Sequence, residues 1–487
     1  MTRARYILLI PKEAINAATD ERMTFNELAQ QSVDIALSLA HIGVKKKDIV
    51  VICSSNRMEY IPIAFGTLLA GAVLANINEN KEIINRDTDI EKTIVFDEPV
   101  EGAIRFKDFL SQHASVEDFE ATPVNGCEDL AIILFSSGTT GMPKGVKFTH
   151  YSFLCSAQDP SSSADEGAVL LGSVDWSNSY GIVILFRHLD GGFVTVIGAD
   201  PDGEQTLDII QKYKLRVDCL SNASWNVVRV HTIPTLPTTI AAINSVKDIS
   251  KYDTSSLRKI SVCGTICNES ILDTFKKRIP SLESVSHYYG LTEVGCINNS
   301  KFAKFGHRQG SVGCVRNVFV VKIVDVETRE PLGPHQRGEI CCKSPTLLQG
   351  YIGGEIDYLD EEGFFKTGDL GYYDEDQYIY VVDRIKDIIK HNSCTVSPSE
   401  LEAVLLQHPS VHDVGVVGAP HGETQELPTA FVVLKPGAQV TEQELIDFFN
   451  KNVAQNVMQL AGGVHFINEL PRGAGLKLDR KKLRSML

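Results

Sequence analysis

The 487-residue chain has no CxxC pair, no long basic tract, no apolar run of membrane-spanning length and no GxxxxGK[ST] element. Each absence removes a class. Its eleven cysteines are scattered singly apart from Cys341-Cys342, which argues for reduced thiols filling cores in an intracellular protein. A formal net charge of −15 disfavours nucleic acid as a partner, because nonspecific binding needs a cationic surface. Lys45-Lys46-Lys47 reads as a solvated turn. The apolar patch from Tyr6 to Ile10, closed by Pro11, is short for a secretory signal. Residues 61–77, interrupted by Gly66 and Gly71, read as a buried helix running into a strand, so no transmembrane segment is expected. His408, His412 and His421 lie close in sequence without zinc-site spacing. No internal repeat is evident.

What is there begins with Ser136 to Gly145, SSGTTGMPKG, directly after the apolar run Ala131 to Phe135. Ser136, Ser137, Thr139 and Thr140 bring hydroxyls. Gly138, Gly141 and Gly145 let backbone amides approach a ligand, and Lys144 adds an ammonium. Such a segment leaving a buried strand suits a polyphosphate. Pro143 before the lysine and Gly145 after it set it apart from a Walker A loop. The competing reading is a polar surface turn.

Three further segments carry chemistry. In His287-Tyr288-Tyr289-Gly290-Leu291-Thr292-Glu293 an aromatic face can cover a purine, Thr292 can donate to phosphate, and Glu293 can hold Mg²⁺, a hard cation that prefers oxygen. The same run also reads as a helix start capped by Thr292 or Glu293. Asp369, after Gly368 at an expected turn, can accept from two ribose hydroxyls, or it is an ordinary Asp-bearing turn. Arg384, after a strand, can bridge ribose and phosphate oxygens or serve as a charged hinge residue. Lys477, on a Gly-rich loop, can neutralise developing charge, or it is one solvated lysine among Arg480, Lys481 and Lys482.

Hydrophobic patterning predicts layered α/β structure with largely parallel sheets. A helix opens at Thr24, with Glu27 completing a capping box, and ends at Gly43. Val50 to Cys53 reads as a buried strand. Val318 to Val326, Gly338 to Lys343 and Ile379 to Val382 read as strands of a β subdomain. Beyond Asp383 a helix starts at Pro398, strands follow at Val411 to Val417 and Ala430 to Leu434, and a helix covers Glu442 to Phe449.

Taken in order, these segments resemble the adenylate-forming enzymes: acyl- and aryl-CoA synthetases, 4-coumarate–CoA ligases and insect luciferases. The resemblance runs over nearly the whole chain. It implies an α/β fold with a large N-terminal adenylation domain over 1–383, built of layered α/β subdomains plus a β subdomain, and a small mobile α+β domain over 384–487. It implies that Ser136 to Lys144 close over the β- and γ-phosphates of ATP. Gly264, Thr265, Tyr288, Tyr289 and Gly290 would line the adenine and acyl pocket. Thr292 and Glu293 would handle the α-phosphate and Mg²⁺. Asp369 and Arg384 would hold the ribose, Lys386 would lie at the hinge, and Lys477 would act in adenylation. The implied reaction is ATP-dependent ligation of a fatty or aromatic carboxylic acid to coenzyme A; a luciferase-like monooxygenase and a weakly catalytic nucleotide- or acyl-binding protein are the alternatives. A monomer or weak dimer is expected. The ending Ser485-Met486-Leu487 resembles the Ser-Lys-Leu peroxisomal address only loosely, leaving peroxisomal and cytoplasmic location both open.

The pattern departs at four places. Ser177 and Asn178 stand where the family usually has histidines. Asn392-Ser393 replace a glycine after the hinge, and Leu476 replaces a glycine before Lys477. The segment from Leu74 to Pro99 is short.

Overall fold

Apolar runs of four to seven residues alternating with capped helices build the first of two units. A computed structural model describes residues 13–77, 90–96, 99–110, 112–136, 144–158, 169–172, 174–198, 202–213, 230–264, 269–299, 306, 308–354, 358–391, 394–422, 425–453, 459–472 and 478–487. The first unit comprises Met1–Gly264, Phe275–Ile297 and Ser344–Asp357; the second comprises Thr265–Thr274, Asn298–Lys343 and Tyr358–Leu487.

In the first unit the strands of the two main sheets are β1 (Glu13–Asn16), β2 (Arg22–Thr24), β3 (Ile49–Cys53), β4 (Val73–Ile77), β5 (Leu130–Ser136), β6 (Lys144–Thr149), β7 (Val169–Gly172), β8 (Val194–Ile197), β9 (Val230–Thr235), β10 (Lys259–Val262) and β11 (Ser284–His287). They form a seven-stranded sheet, β11-β10-β9-β7-β8-β1-β2, and a four-stranded sheet, β3-β4-β5-β6. Only the terminal pairs β1/β2 and β5/β6 in these two sheets are antiparallel. The rest are parallel, as expected for a chain whose strands are joined through helices.

Helix α1 (Phe25–His41) starts at Thr24, whose hydroxyl accepts from the Glu27 amide while Glu27 reaches back, the expected capping box. Its apolar stripe, Leu28, Val33, Ile35, Ala36 and Leu39, is buried. Helix α2 (Tyr60–Leu69) runs into β4, whose five residues are all buried, matching the helix-then-strand reading of residues 61–77. β3 departs from expectation. It is an edge strand, and Ile49 and Val51 are exposed by half or more, because alternate side chains of an edge strand face away from the core.

The second unit carries an antiparallel sheet of β12 (Val320–Val324), β13 (Gly338–Lys343), β14 (Phe365–Tyr373) and β15 (Ile379–Arg384). Beyond it, α3 (Pro398–Leu405), β16 (Val411–His421), β17 (Gln425–Leu434), α4 (Glu442–Asn452) and β18 (Val464–Phe466) form a small α+β body. Its core gathers Leu401, Leu405, Val416, Ala430, Val432, Leu445 and Phe449. Ser397 caps α3, and Asp383 Oδ2 accepts from both Ser397 Oγ and the Ser399 amide. Cys127, Cys155, Cys341 and Cys342 are free thiols. Cys341 and Cys342 are core residues, and burial pushes their thiols up to about 11 and about 12. Cys127 is exposed, so core filling does not hold for every cysteine. Among the described residues no helix is long and apolar enough to cross a membrane.

Candidate active site

The apolar run of β5 buries Ala131 to Leu134 between β4 and β6. In the β5/β6 register Ser136 stands opposite Lys144. The connecting loop therefore leaves and re-enters the sheet at one place. Ser137, Gly138, Thr139, Thr140 and Gly141 lie outside the described residues; the two ends of the loop are described. At one end Ser136 Oγ is buried and has no hydrogen-bond partner among the described residues, an orphan hydroxyl of the kind a ligand can satisfy. At the other end Lys144 Nζ lies 5.5 Å from the centroid of the Tyr351 ring. Gly145 lies close beneath Ile352: a Cβ there would come within 2.6 Å of Ile352 Cδ1, so the exposed Ile352 side chain would have to move.

After β11, the Tyr288 amide donates to Val262 O, extending the parallel sheet, and Tyr289 is buried. Two two-residue strands, Gly290–Leu291 and Gly295–Cys296, then pair antiparallel. The Val294 amide donates to Leu291 O, and Gly295 takes a φ of 75°. Thr292 and Glu293 thus occupy the tip of a hairpin with a three-residue connection, not the start of a helix. A Cβ on Gly290 would sit 2.2 Å from Gly295 O, which is why a glycine precedes the tip.

Two contacts between side chains reach Thr292 and Glu293 at that tip. Ser179 Oγ lies 3.1 Å from Thr292 Oγ1, and the Tyr351 hydroxyl donates to Glu293 Oε1 at 3.3 Å. Neither Ser179 nor Tyr351 was singled out from sequence. Ser179 opens the helix Ser179–Asp190, where Asn178 Oδ1 accepts from the Gly181 amide as the N-cap. Ser177 Oγ donates to Asp175 Oδ2 at 2.8 Å. The residues at the two family histidine positions are therefore engaged in a turn and a cap. The Tyr180 hydroxyl donates to Ser261 O, and burial pushes its phenol well above the ordinary value. Gly264, just beyond β10, has a φ of 99°; Thr265 lies outside the described residues.

In the second unit Asp369 is not at a turn. It lies within β14, is buried, and ends a bulge in which Thr367, Gly368 and Asp369 stand against Ile340 alone, between the pairs Cys341/Lys366 and Glu339/Leu370. Gly368, with a φ of 70°, absorbs the extra residues. The glycine that suggested a turn serves a bulge instead. Asp369 faces Arg384 across the β14/β15 ladder, and Arg384 Nε lies 2.8 Å from Asp369 Oδ1. Arg384 Nη1 also donates to Thr367 O. Lys386 sits in a 3-10 turn, Ile385–Asp387. Lys477 lies outside the described residues; on either side of it, Arg472 and Leu478 form an antiparallel bridge.

Structure therefore brings Ser136, Lys144, Tyr288, Tyr289, Gly290, Thr292 and Glu293 into the first unit, and Asp369, Arg384 and Lys386 into the second. Among the described residues no group of three His, Cys, Asp or Glu side chains is placed to hold a metal ion. Glu293, with its second carboxylate oxygen not taken by Tyr351, fits a Mg²⁺ ion held by one carboxylate together with substrate phosphates, the usual arrangement for that ion.

Comparison with known proteins covers both units. Residues 11–352 match the sequence profile of the AMP-binding enzyme family, and residues 400–475 that of the AMP-binding enzyme C-terminal domain. The luciferin 4-monooxygenase of Nipponoluciola cruciata is 31% identical over 99% of this chain and 92% of its own length. The 4-coumarate–CoA ligase of Pinus taeda is 30% identical over 97% of this chain and 91% of its own length. Among solved structures, ATP-bound MatB from Rhodopseudomonas palustris shares the fold, with a TM-score of 0.86 at 24% identity, covering 99% of this chain and 97% of that one. The o-succinylbenzoate CoA synthetase MenE from Bacillus subtilis, in complex with its acyl-adenylate intermediate OSB-AMP, gives a TM-score of 0.81 at 25% identity, covering 99% and 96%.

Proposed function

This chain belongs to the AMP-binding enzyme family, and on that premise we propose that it is an AMP-forming acid–CoA ligase acting on a fatty or aromatic carboxylic acid. One observation carries the reading most: the two ends of the Ser136–Lys144 loop and the Thr292–Glu293 tip belong to one unit, and the backbone of residues 348–352 is bonded both to β6, at the Lys144 end of the loop, and to the tip. The Leu348 amide donates to Glu293 O, and the Lys147 amide donates to Gly350 O. A polyphosphate gripped at the loop then lies within reach of the carboxylate and hydroxyl of the tip.

In the proposed reaction a carboxylate oxygen of the acid attacks the α-phosphorus of ATP and the bond to pyrophosphate breaks. Ser136 to Lys144 hold the β- and γ-phosphates, Thr292 donates to the α-phosphate, and Glu293 holds Mg²⁺. Bound there, that ion would neutralise charge on the phosphate oxygens. Tyr288, Tyr289, Gly290, Gly264 and Thr265 border the adenine and acyl groups, and Asp369 with Arg384 holds the ribose. Lys477 stabilises charge on the reacting oxygens, so catalysis is positioning and electrostatics. In the second step the thiol sulfur of coenzyme A attacks the acyl carbon, its proton passes to solvent, and AMP leaves. The small domain, from residue 384 onward, turns about Lys386 between the two steps.

ATP–pyrophosphate exchange across a library of carboxylic acids, followed by thioester detection with coenzyme A, tests this reading. Acid-dependent exchange and a thioester support it; no exchange with any acid overturns it. A second reading, an adenylating monooxygenase, is favoured by the 31% identity to a luciferin 4-monooxygenase. Light emission with luciferin, ATP and Mg²⁺ would select it.

A further inference from the structure

Tyr351 stands between two groups of opposite charge. Its hydroxyl donates to Glu293 Oε1 at 3.3 Å, and Lys144 Nζ lies 5.5 Å from its ring centroid. Tyr351 is 7% exposed. Backbone bonds fix it on both sides: it forms an antiparallel bridge with Val146, and the Ile352 amide donates to Gly145 O while that of Leu348 donates to Glu293 O. Thr346 Oγ1 adds a bond to Val294 O at 2.7 Å. A short strap thus joins the exit of the phosphate-loop strand to the hairpin tip, with one aromatic side chain in the gap.

We propose that Tyr351 is a positioning residue that holds Glu293 for a nucleotide-bound divalent cation and keeps Lys144 from pairing with it. This rests on the reading of the site given above. A lysine and a glutamate near one another tend to form an ion pair, and each would then be unavailable to phosphate or cation. Among the described residues no ion pair joins Lys144 to Glu293. The phenol fixes one carboxylate oxygen by a charge-assisted bond and leaves the other open. The negative face of the ring attracts the ammonium weakly, without neutralising it as a carboxylate would. The spacer keeps both charges available until Mg·ATP arrives.

The test is calorimetric titration of the full-length protein, without acid, using ATP with Mn²⁺ and ATP with EDTA. The wild type is measured first, with Tyr351→Phe and Tyr351→Leu alongside. Tyr351→Phe keeps the ring and loses the hydroxyl, so Mn·ATP affinity is expected to fall about fivefold with metal-free ATP unchanged. Tyr351→Leu also frees Lys144 to meet Glu293, so metal-free ATP weakens as well, by about the same factor. Unfolding temperature without nucleotide is followed for each variant. Equal loss for both forms of ATP in Tyr351→Phe, or no loss at all, overturns the proposal. If the wild type binds neither form, the reading of the site fails and the proposal with it; if the wild type binds and Tyr351→Phe matches it, only the proposal fails.

Discussion

Ser179 Oγ and Thr292 Oγ1 lie 3.1 Å apart, tying the first residue of the helix Ser179–Asp190 to the hairpin tip across 113 positions of sequence. The helix is held in turn by its Asn178 cap, so the hydroxyl of Thr292 is oriented from a rigid element. Replacing Ser179 by Ala is expected to lower kcat/KM for ATP about fivefold, the equivalent of ~1 kcal/mol for one hydrogen bond. Thr292→Ala should cost more. In the double variant the two losses should fall short of additivity by about 1 kcal/mol, which a double-mutant cycle on pyrophosphate exchange measures.

Asp369 is 4% exposed and Arg384 occupies one of its oxygens. Asp369→Ala should weaken AMP binding at least about tenfold, consistent with loss of a charged hydrogen bond to the ribose. Arg384→Ala leaves a buried carboxylate without its cation. The Arg384 side chain is 40% exposed, so water replaces part of that contact and the expected stability loss is about 1 kcal/mol. Urea unfolding reads the second effect and calorimetry with AMP the first.

Lys477 is expected to serve the first half-reaction alone. Lys477→Ala should slow acid-dependent pyrophosphate exchange by about 10²-fold or more. Thioester formation from a supplied acyl-adenylate and coenzyme A should change less than about twofold. Equal slowing of both steps would remove Lys477 from the proposed mechanism.

Stability should depend on pH through His188. It is buried against the Phe193 ring, and burial lowers its pKa from 6.5 to about 3, with the neighbouring Arg187 charge acting in the same direction. Between those values the unfolded chain takes up a proton that the folded chain refuses. The contribution is complete above about pH 6.5 and is lost as pH falls toward 3. The free energy of unfolding should therefore drop by ~2 kcal/mol from pH 7.5 to 5 on this account. His150, lowered chiefly by burial, adds in the same sense. His188→Leu should flatten most of the slope, measured by denaturant unfolding at several pH values.

In the small α+β body, Glu402 and Arg480 pair through two guanidinium nitrogens, and Arg480 also donates to Val416 O. Both side chains are only 14% exposed. Glu402→Ala strands a buried cation and should cost about 3 kcal/mol. Replacing both residues by Leu and Met should recover much of that loss, since the desolvation cost of the pair disappears with it. Unfolding of the body, followed by hydrogen exchange in β16 and β17, reports the difference.

The sequence by itself determined the elements whose signals are local. Thr24 with Glu27 announces a helix start because a cap involves atoms three residues apart, and Pro398 announces another because its ring suits the first helical turn. The apolar run before Ser136 announces a buried strand because its side chains have nowhere else to go. Motif order along the chain was enough for the family. Tertiary structure alone decided the rest. It made Gly368 a bulge rather than a turn, because a glycine with a positive φ serves either and only the strand opposite chooses. It left Ile49 and Val51 exposed, because strand order, not composition, decides which strand is an edge. It also placed Tyr351 beside Glu293, 58 positions away, and Ser179 beside Thr292. Such contacts arise from packing of distant segments, and no propensity acting over a few residues encodes them.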